Sequence, residues 1–278
     1  MPVIPWPLDP VRGGGRRSTG ALKHAMIEHM PSAEDTAGLA AALIQSRQTI
    51  LPKRLGAPGP NVAELAAILQ AAAHAPDHGQ LTPWRFVLVP DTSRTLLADV
   101  FAEALLERDP GAAPEQLEQA REKAYRSPVL LLAIVDGERG DADIELAERM
   151  VSAGCAIQNM LLMATAQGYG SALTSGKALK ASSLRALFRL APGEQALCFV
   201  SIGTVVSRKG ARLRPTASSY VSTLDEHRGI LPGFGHALSD AQITELAGYM
   251  RQRYAPGRPA WRDVPEALAR VRAGPAHP

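Results

Sequence analysis

Ala75-Pro-Asp-His-Gly-Gln-Leu-Thr-Pro-Trp-Arg-Phe86, continued by Val87-Leu-Val89, is where the chain changes character. An apolar helical pattern through Leu65, Ile68, Leu69 and Ala72 stops at Pro76, which has no N–H for a helix interior. A buried strand opens at Trp84. Between them lies a polar loop able to cradle a ligand. The helix before it opens on Asn61-x-x-Glu64, the pattern of a capping box.

Upstream, Thr36 reads as the N-cap of a helix with Leu39, Leu43 and Ile44 on one side, which delivers Arg47 at its end. Downstream, residues 92 to 108 and 114 to 125 read as amphipathic helices. Val129-Leu-Leu-Leu-Ala-Ile-Val135 is apolar on both faces, as in a central strand covered on two sides. A long helix with a polar start and an apolar second half is expected over about residues 141 to 167, a short one over 182 to 188 and a third strand over 195 to 203. Several helices and a few buried strands without regular βαβ alternation imply an α+β layered fold, not a doubly wound sheet.

With 278 residues, 46% hydrophobic and 21% charged, the chain can bury one substantial core, as one large domain or two small ones. The net charge of +3 is uneven: residues 227 to 278 carry seven Arg against four acidic residues, whereas residues 1 to 35 and the stretch between balance. The basic character therefore belongs to a tail and implies no groove for nucleic acid. Cys155 and Cys198 make no disulfide framework and fit a reducing compartment. Arg16-Arg17 is followed by no apolar stretch of an export signal, and residues 150 to 166 are interrupted by Ser152, Gln158 and Asn159, so no membrane span is expected. The reading is a soluble, cytoplasmic protein. Residues 1 to 35, rich in Pro, Gly and Arg, read as a disordered extension with room for a short helix over 22 to 30.

Ser46-Arg47-Gln48-Thr49, the Ala75-Pro-Asp-His78 loop, Ser152-Ala-Gly-Cys-Ala156, Ala166-Gln-Gly-Tyr-Gly170, Thr174-Ser-Gly176 and Ser201-Ile-Gly-Thr204 follow one another at family-like spacing. Over roughly residues 37 to 224 they resemble the FMN-dependent nitroreductase superfamily, especially the small homodimeric NAD(P)H nitroreductases. The resemblance implies a central mixed or antiparallel sheet packed between helices, a symmetric dimer with FMN at its interface, and a domain over residues 36 to 226. It also implies a ping-pong oxidoreductase that takes hydride from NADH or NADPH and reduces a nitroaromatic, quinone or similar planar acceptor. No catalytic side chain is then required, because the flavin carries the chemistry.

Arg47 offers a fork of donors suited to phosphate oxygens. By resemblance, Gln48 and Thr49 complete that contact. Without a ligand, Arg47 would be a last-turn residue favoured by the helix dipole. In similar proteins the positions of His74 and His78 approach the flavin of the partner subunit; otherwise His74 is a polar helix end. A metal pair at their spacing is disfavoured, because Pro76 breaks the helix between them and no carboxylates complete a site.

Leu173, Thr174 and Ser175 stand where the family contacts the flavin, although Gly168 or Gly170 would equally make an ordinary helix end and turn. Arg208 and Lys209 are candidates to close on the phosphate. Met163, Ala164, Thr165, Ala166, Gln167 and Gly168 match a segment that some members assign to the nicotinamide nucleotide, and would look the same as plain core.

Similar proteins have a second Arg at Gln48, an Arg at His74 and Trp-Arg at Leu173-Thr174. Three fewer charge-assisted contacts, at roughly 1.5 to 3 kcal/mol each, predict looser flavin retention. Residues 229 to 272 of the tail resemble the end of a c-type cytochrome domain, with a capping box at Ser239 and Gln242 and an amphipathic face through Ile243, Leu246, Ala247, Met250 and Tyr254. Haem is not expected: the chain has no Cys-x-x-Cys-His, and Leu231 stands where an axial Met would. The alternative to a reductase is a non-catalytic or weakly flavin-binding interaction module on the same fold.

Overall fold

In the computed structural model, which describes residues 32–208, 210, 212–225, 229–231, 238–254, 257, 259 and 263–273, the chain divides into two units, Met1–Lys209 and Gly210–Pro278. The first contains, in order, α1 (Ala33–Ser46), β1 (Leu55–Gly56), α2 (Val62–Ala71), β2 (Trp84–Leu88), α3 (Arg94–Arg108) and α4 (Pro114–Arg121). It continues with β3 (Val129–Asp136), α5 (Leu146–Ala166), β4 (Gly170–Thr174), α6 (Ser182–Leu187) and β5 (Glu194–Val205). The strands form one sheet in the order β1-β5-β3-β2, with β4 also on β5, and every strand pair is antiparallel.

The run from Val129 to Val135 is apolar throughout because its residues serve two cores. Alternation along a strand sends successive side chains to opposite faces. Val129, Leu131 and Ala133 pack with α2 and α5, while Leu130, Leu132 and Ile134 pack with α3 and α6. β5 repeats the division, with Cys198, Val200 and Ile202 facing the first core and Phe199 the second. The sheet therefore lies between two helical layers. Leu132 is fully buried, and Leu132→Ala is expected to cost about 2 to 5 kcal/mol, read as a lower denaturation midpoint with an unchanged slope.

Several boundaries differ from the sequence reading. Ser32, not Thr36, caps α1: its hydroxyl accepts from Asp35 N–H at 3.1 Å, while the Thr36 hydroxyl is spent on the Ser32 carbonyl. Residues 33–35 thus belong to the helix and not to the extension. The helix expected from about residue 141 begins at Leu146. Its would-be first turns are instead held as a loop by Arg149, whose guanidinium donates to the carbonyls of Asp136, Arg139, Asp141 and Ile144. Residues 170–174, read as a turn and its sequel, form β4. The capping box at Asn61 and Glu64 is formed, with both bonds at 2.8 to 2.9 Å. Residues 22 to 30 lie outside the described residues.

Across the sheet end, Arg85 on β2 grips Glu194 on β5 with two bonds of 2.5 and 2.8 Å. That fork holds the Glu194 carboxyl below its ordinary value of 4.5, against the upward push of burial. A carboxylate lowered on folding stabilises fully above its unfolded value and loses that contribution as pH falls through the folded one. Stability should therefore decline with acid below about pH 4.5, and in Glu194→Gln that part of the decline should vanish, as read by denaturation at stepped pH.

The second unit contains the hairpin β6 (Thr223–Asp225) and β7 (Gly229–Leu231), followed by α7 (Asp240–Tyr254) and α8 (Val264–Ala273). The expected cap is present: Ser239 N–H donates to Gln242 Oε1 at 2.9 Å and Gln242 N–H to Ser239 Oγ at 3.3 Å. Leu246, Met250 and Tyr254 of the apolar face of α7 are exposed. Among the described residues no helix is long and apolar enough to cross a membrane.

Candidate functional site

The segment after α1 is stitched to the sheet. Arg47 closes the helix, its N–H donating to Leu43 carbonyl at 3.2 Å, and turns into extended backbone. Thr49 then forms a parallel bridge with Ser171 of β4, and Ile50 N–H donates to the Ser171 carbonyl at 2.9 Å. Gly170 allows the close approach: a Cβ there would meet Val205 at 2.7 Å, Leu55 at 2.8 Å and Ile50 at 3.0 Å. A side chain there would press on β5, β1 and Ile50, so glycine suits the place of β4 beside the segment that carries Arg47, Gln48 and Thr49.

Two cavities flank the segment. The smaller, about 40 Å³, is lined by Ser46, Gln48, Thr165, Gly168, Tyr169 and Arg208, among others. It brings Arg208, one of the three expected phosphate cations, beside the Gln48 amide, whereas Arg47 and Thr49 line neither cavity. The larger, about 660 Å³, is lined by Leu51, Pro52 and Lys53 on one side and by Thr174, Ser175 and Gly176 at the end of β4 on the other. Phe199 and Leu130 contribute apolar surface to it. A volume of this order is that of a small-molecule site.

The remaining expected residues fall in several places. Leu173, Thr174 and Ser175 are exposed at the strand end. His74 ends the 3-10 turn Ala72–His74, and His78 begins the turn His78–Gln80; both are exposed, and neither lines either cavity of the single chain. His78 Nδ1 lies 2.9 Å from Glu148 Oε2. Their loop holds Gly79, Gln80 and Thr82 at φ of 67°, 53° and 45°, unusual for the latter two, and pins Thr82 N–H to Asp77 Oδ2 at 2.6 Å. Met163 packs on the first core and Ala164 is fully buried, whereas Thr165 and Gly168 face the small cavity. Arg208 is exposed, and Lys209 lies outside the described residues.

Tyr169, quoted only as part of a motif, and Lys53, not singled out in the sequence, line the cavities. Tyr169 donates from its hydroxyl to Glu64 Oε2 at 2.7 Å, tying the end of α5 to the start of α2. Lys53 lies in the same segment as Thr49, four residues on, which was the signal available. Burial pushes the Cys198 thiol up to about 11, so it is held as a thiol and supplies no nucleophile. Among the described residues no cluster of His, Cys, Asp and Glu could hold a metal ion.

The donor set fits a flavin mononucleotide in kind. A guanidinium and an amide with no carboxylate among the lining suit phosphate oxygens, and the wider cavity beside Thr174, Ser175 and Gly176 offers hydroxyls above an apolar surface.

Residues 44–204 match the model of the nitroreductase family. A candidate NAD(P)H nitroreductase of Haemophilus influenzae is 35% identical over 152 residues, spanning 55% of this chain and 82% of that protein. The solved structure of a nitroreductase-like family protein from Bacillus cereus covers 66% of this chain and 95% of its own, with a TM-score of 0.58 at 17% identity, a likeness of fold. One component of the nicotinate dehydrogenase of Pseudomonas putida shares 47% identity over 47 residues, 17% of this chain and 4% of that protein.

Proposed function

The chain belongs to the nitroreductase family, and from that premise we propose that it is an FMN-dependent NAD(P)H oxidoreductase acting on a planar acceptor such as a nitroaromatic or quinone. The observation that carries this is the stitched segment from Arg47 to Lys53, which places Gln48 beside Arg208 at one cavity and Lys53 near Thr174 and Ser175 at the other. Bound FMN would supply electron transfer from NADH or NADPH to the acceptor in alternating half-reactions.

In this reading Arg47, Gln48, Thr49 and Arg208 hold the phosphate and ribityl end, with Lys209 as a further cation. Leu173, Thr174 and Ser175 edge the ring. Supporting a symmetric dimer, α1 buries no residue of its own and exposes Leu39 to 66% and Ile44 to 59%, while Val151 on α5 is 66% exposed. A second copy is the commonest way to cover such a face. His74 and His78, which line neither cavity of their own chain, would then reach the partner's flavin. The free Cys155 and Cys198 suit a reducing, cytoplasmic setting. The tail is proposed to be a cytochrome-like end piece without haem.

The test is anaerobic addition of NADH or NADPH to the purified protein, followed by a nitroaromatic or a quinone. The expected course is loss of the flavin absorbance and its return on adding acceptor. Flavin that is bound but stays oxidised with both nucleotides would favour the interaction module.

A further inference from the structure

The larger cavity has a charge pattern that a neutral acceptor does not require. Its lining includes Lys53, Arg108, Lys123, Arg126 and Lys177 and no carboxylate. Among the described residues none of these cations is in an ion pair.

The segregation is written into two helices. On α3 the cavity meets Phe101, Ala104, Leu105 and Arg108. On α4 and the 3-10 turn Glu122–Tyr125 that continues it, the cavity meets Gln116, Gln119, Ala120 and Lys123. Both sets follow i, i+3, i+4, i+7, a single helical face. The carboxylates of the same elements, Asp99, Glu103 and Glu107 on the first and Glu115, Glu118 and Glu122 on the second, line no part of the cavity. Arg121, between the helices, pairs with Asp99 and Glu118. The negative charge is thus turned away or neutralised, and the positive charge is gathered round an apolar surface that includes Phe101, Leu130 and Phe199. A concave site with charge of one sign and apolar walls concentrates its field on whatever enters.

We propose that this cavity recognises an anionic planar molecule, and that the physiological acceptor is an aromatic or quinonoid compound bearing a carboxylate or a similar anion. The apolar surface takes the ring, and Arg108 of α3 and Lys123 of the turn after α4 take the charge. The assignment to the acceptor rests on the flavin reading given above; the affinity for an anion rests on the cavity alone.

The experiment compares 4-nitrobenzoate with neutral nitrobenzene on the FMN-loaded protein and on its Arg108→Ala/Lys123→Ala double variant. The expected result is that kcat/KM for 4-nitrobenzoate falls at least tenfold while that for nitrobenzene stays within twofold. Equal changes for the two acceptors, or none, would overturn the proposal. So would an equal fall in the anaerobic rate of reduction by NADH, which would assign the cations to the nucleotide. Calorimetric titration of 4-nitrobenzoate into both proteins separates the two readings. If neither protein turns over but the double variant alone loses the anion, the flavin reading fails and the anion site stands. If both bind the anion equally, or neither binds it, the anion site fails whatever the turnover.

Discussion

Arg47→Ala is expected to weaken FMN binding by about 2 to 4 kcal/mol, roughly thirty- to a thousandfold in Kd. The size follows from its position. Arg47 is half-buried at the end of α1, where the chain turns into the bridge with β4, so its guanidinium starts from a fixed backbone. A cation preorganised in this way loses little freedom on meeting a phosphate, and a planar fork can bond two oxygens at once. Arg208, exposed beyond β5, should contribute less, about 1 kcal/mol, because solvent screens it. Titration of FMN by the quenching of its fluorescence measures both. Arg47→Lys should recover part of the loss, since a point charge keeps the attraction without the fork. A change below threefold in Arg47→Ala would remove this residue from the phosphate contact.

The largest loss of stability is expected from Arg149→Met, at least about 3 to 5 kcal/mol. Arg149 is 1% exposed, and among the described residues its guanidinium meets no carboxylate; it donates to the carbonyls of Ile144 at 2.8 Å, Arg139 and Asp141 at 2.5 Å each, and Asp136 at 3.3 Å. Methionine fills a similar length but leaves those carbonyls without their donor, and an unsatisfied buried acceptor costs about 1 to 3 kcal/mol. The carbonyls belong to the loop between β3 and α5, so the loop should loosen with the global loss. A thermal melt should show a fall of about 10 °C or more, at roughly 2 to 4 °C per kcal/mol for a unit of this size. A shift of under about 2 °C would mean that water takes over the guanidinium's role.

The layered architecture was legible because its strongest elements obey one rule each. Val129 to Val135 could hardly be anything other than a strand buried on both faces, and the structure divides those residues between two cores. Asn61 and Glu64 marked a helix start that is present, as did Ser239 and Gln242. What escaped depended on distant partners. β4, written Gly-Ser-Ala-Leu-Thr, has little strand preference of its own and exists because β5 and the Thr49 bridge accept it. The first turn expected of α5 was lost to Arg149, a side chain whose use of carbonyls up to thirteen residues upstream no local pattern announces. Of the expected ligand residues, Gln48, Arg208, Thr174 and Ser175 do line the cavities. Arg47, Thr49, Leu173, His74 and His78 line neither. Arg108 and Lys123 carry no motif of their own in the sequence, and their common face emerges only once the helical segments that bear them are set round one cavity.

Whether the segment from Arg47 to Lys53 together with β4 and Arg208 forms a flavin site is read from the near-ultraviolet and visible absorbance spectrum of the purified protein after incubation with FMN and gel filtration. Flavin bands are expected to travel with the protein and to be lost in Arg47→Ala. A colourless protein that no excess of FMN can reconstitute would contradict a flavin site there.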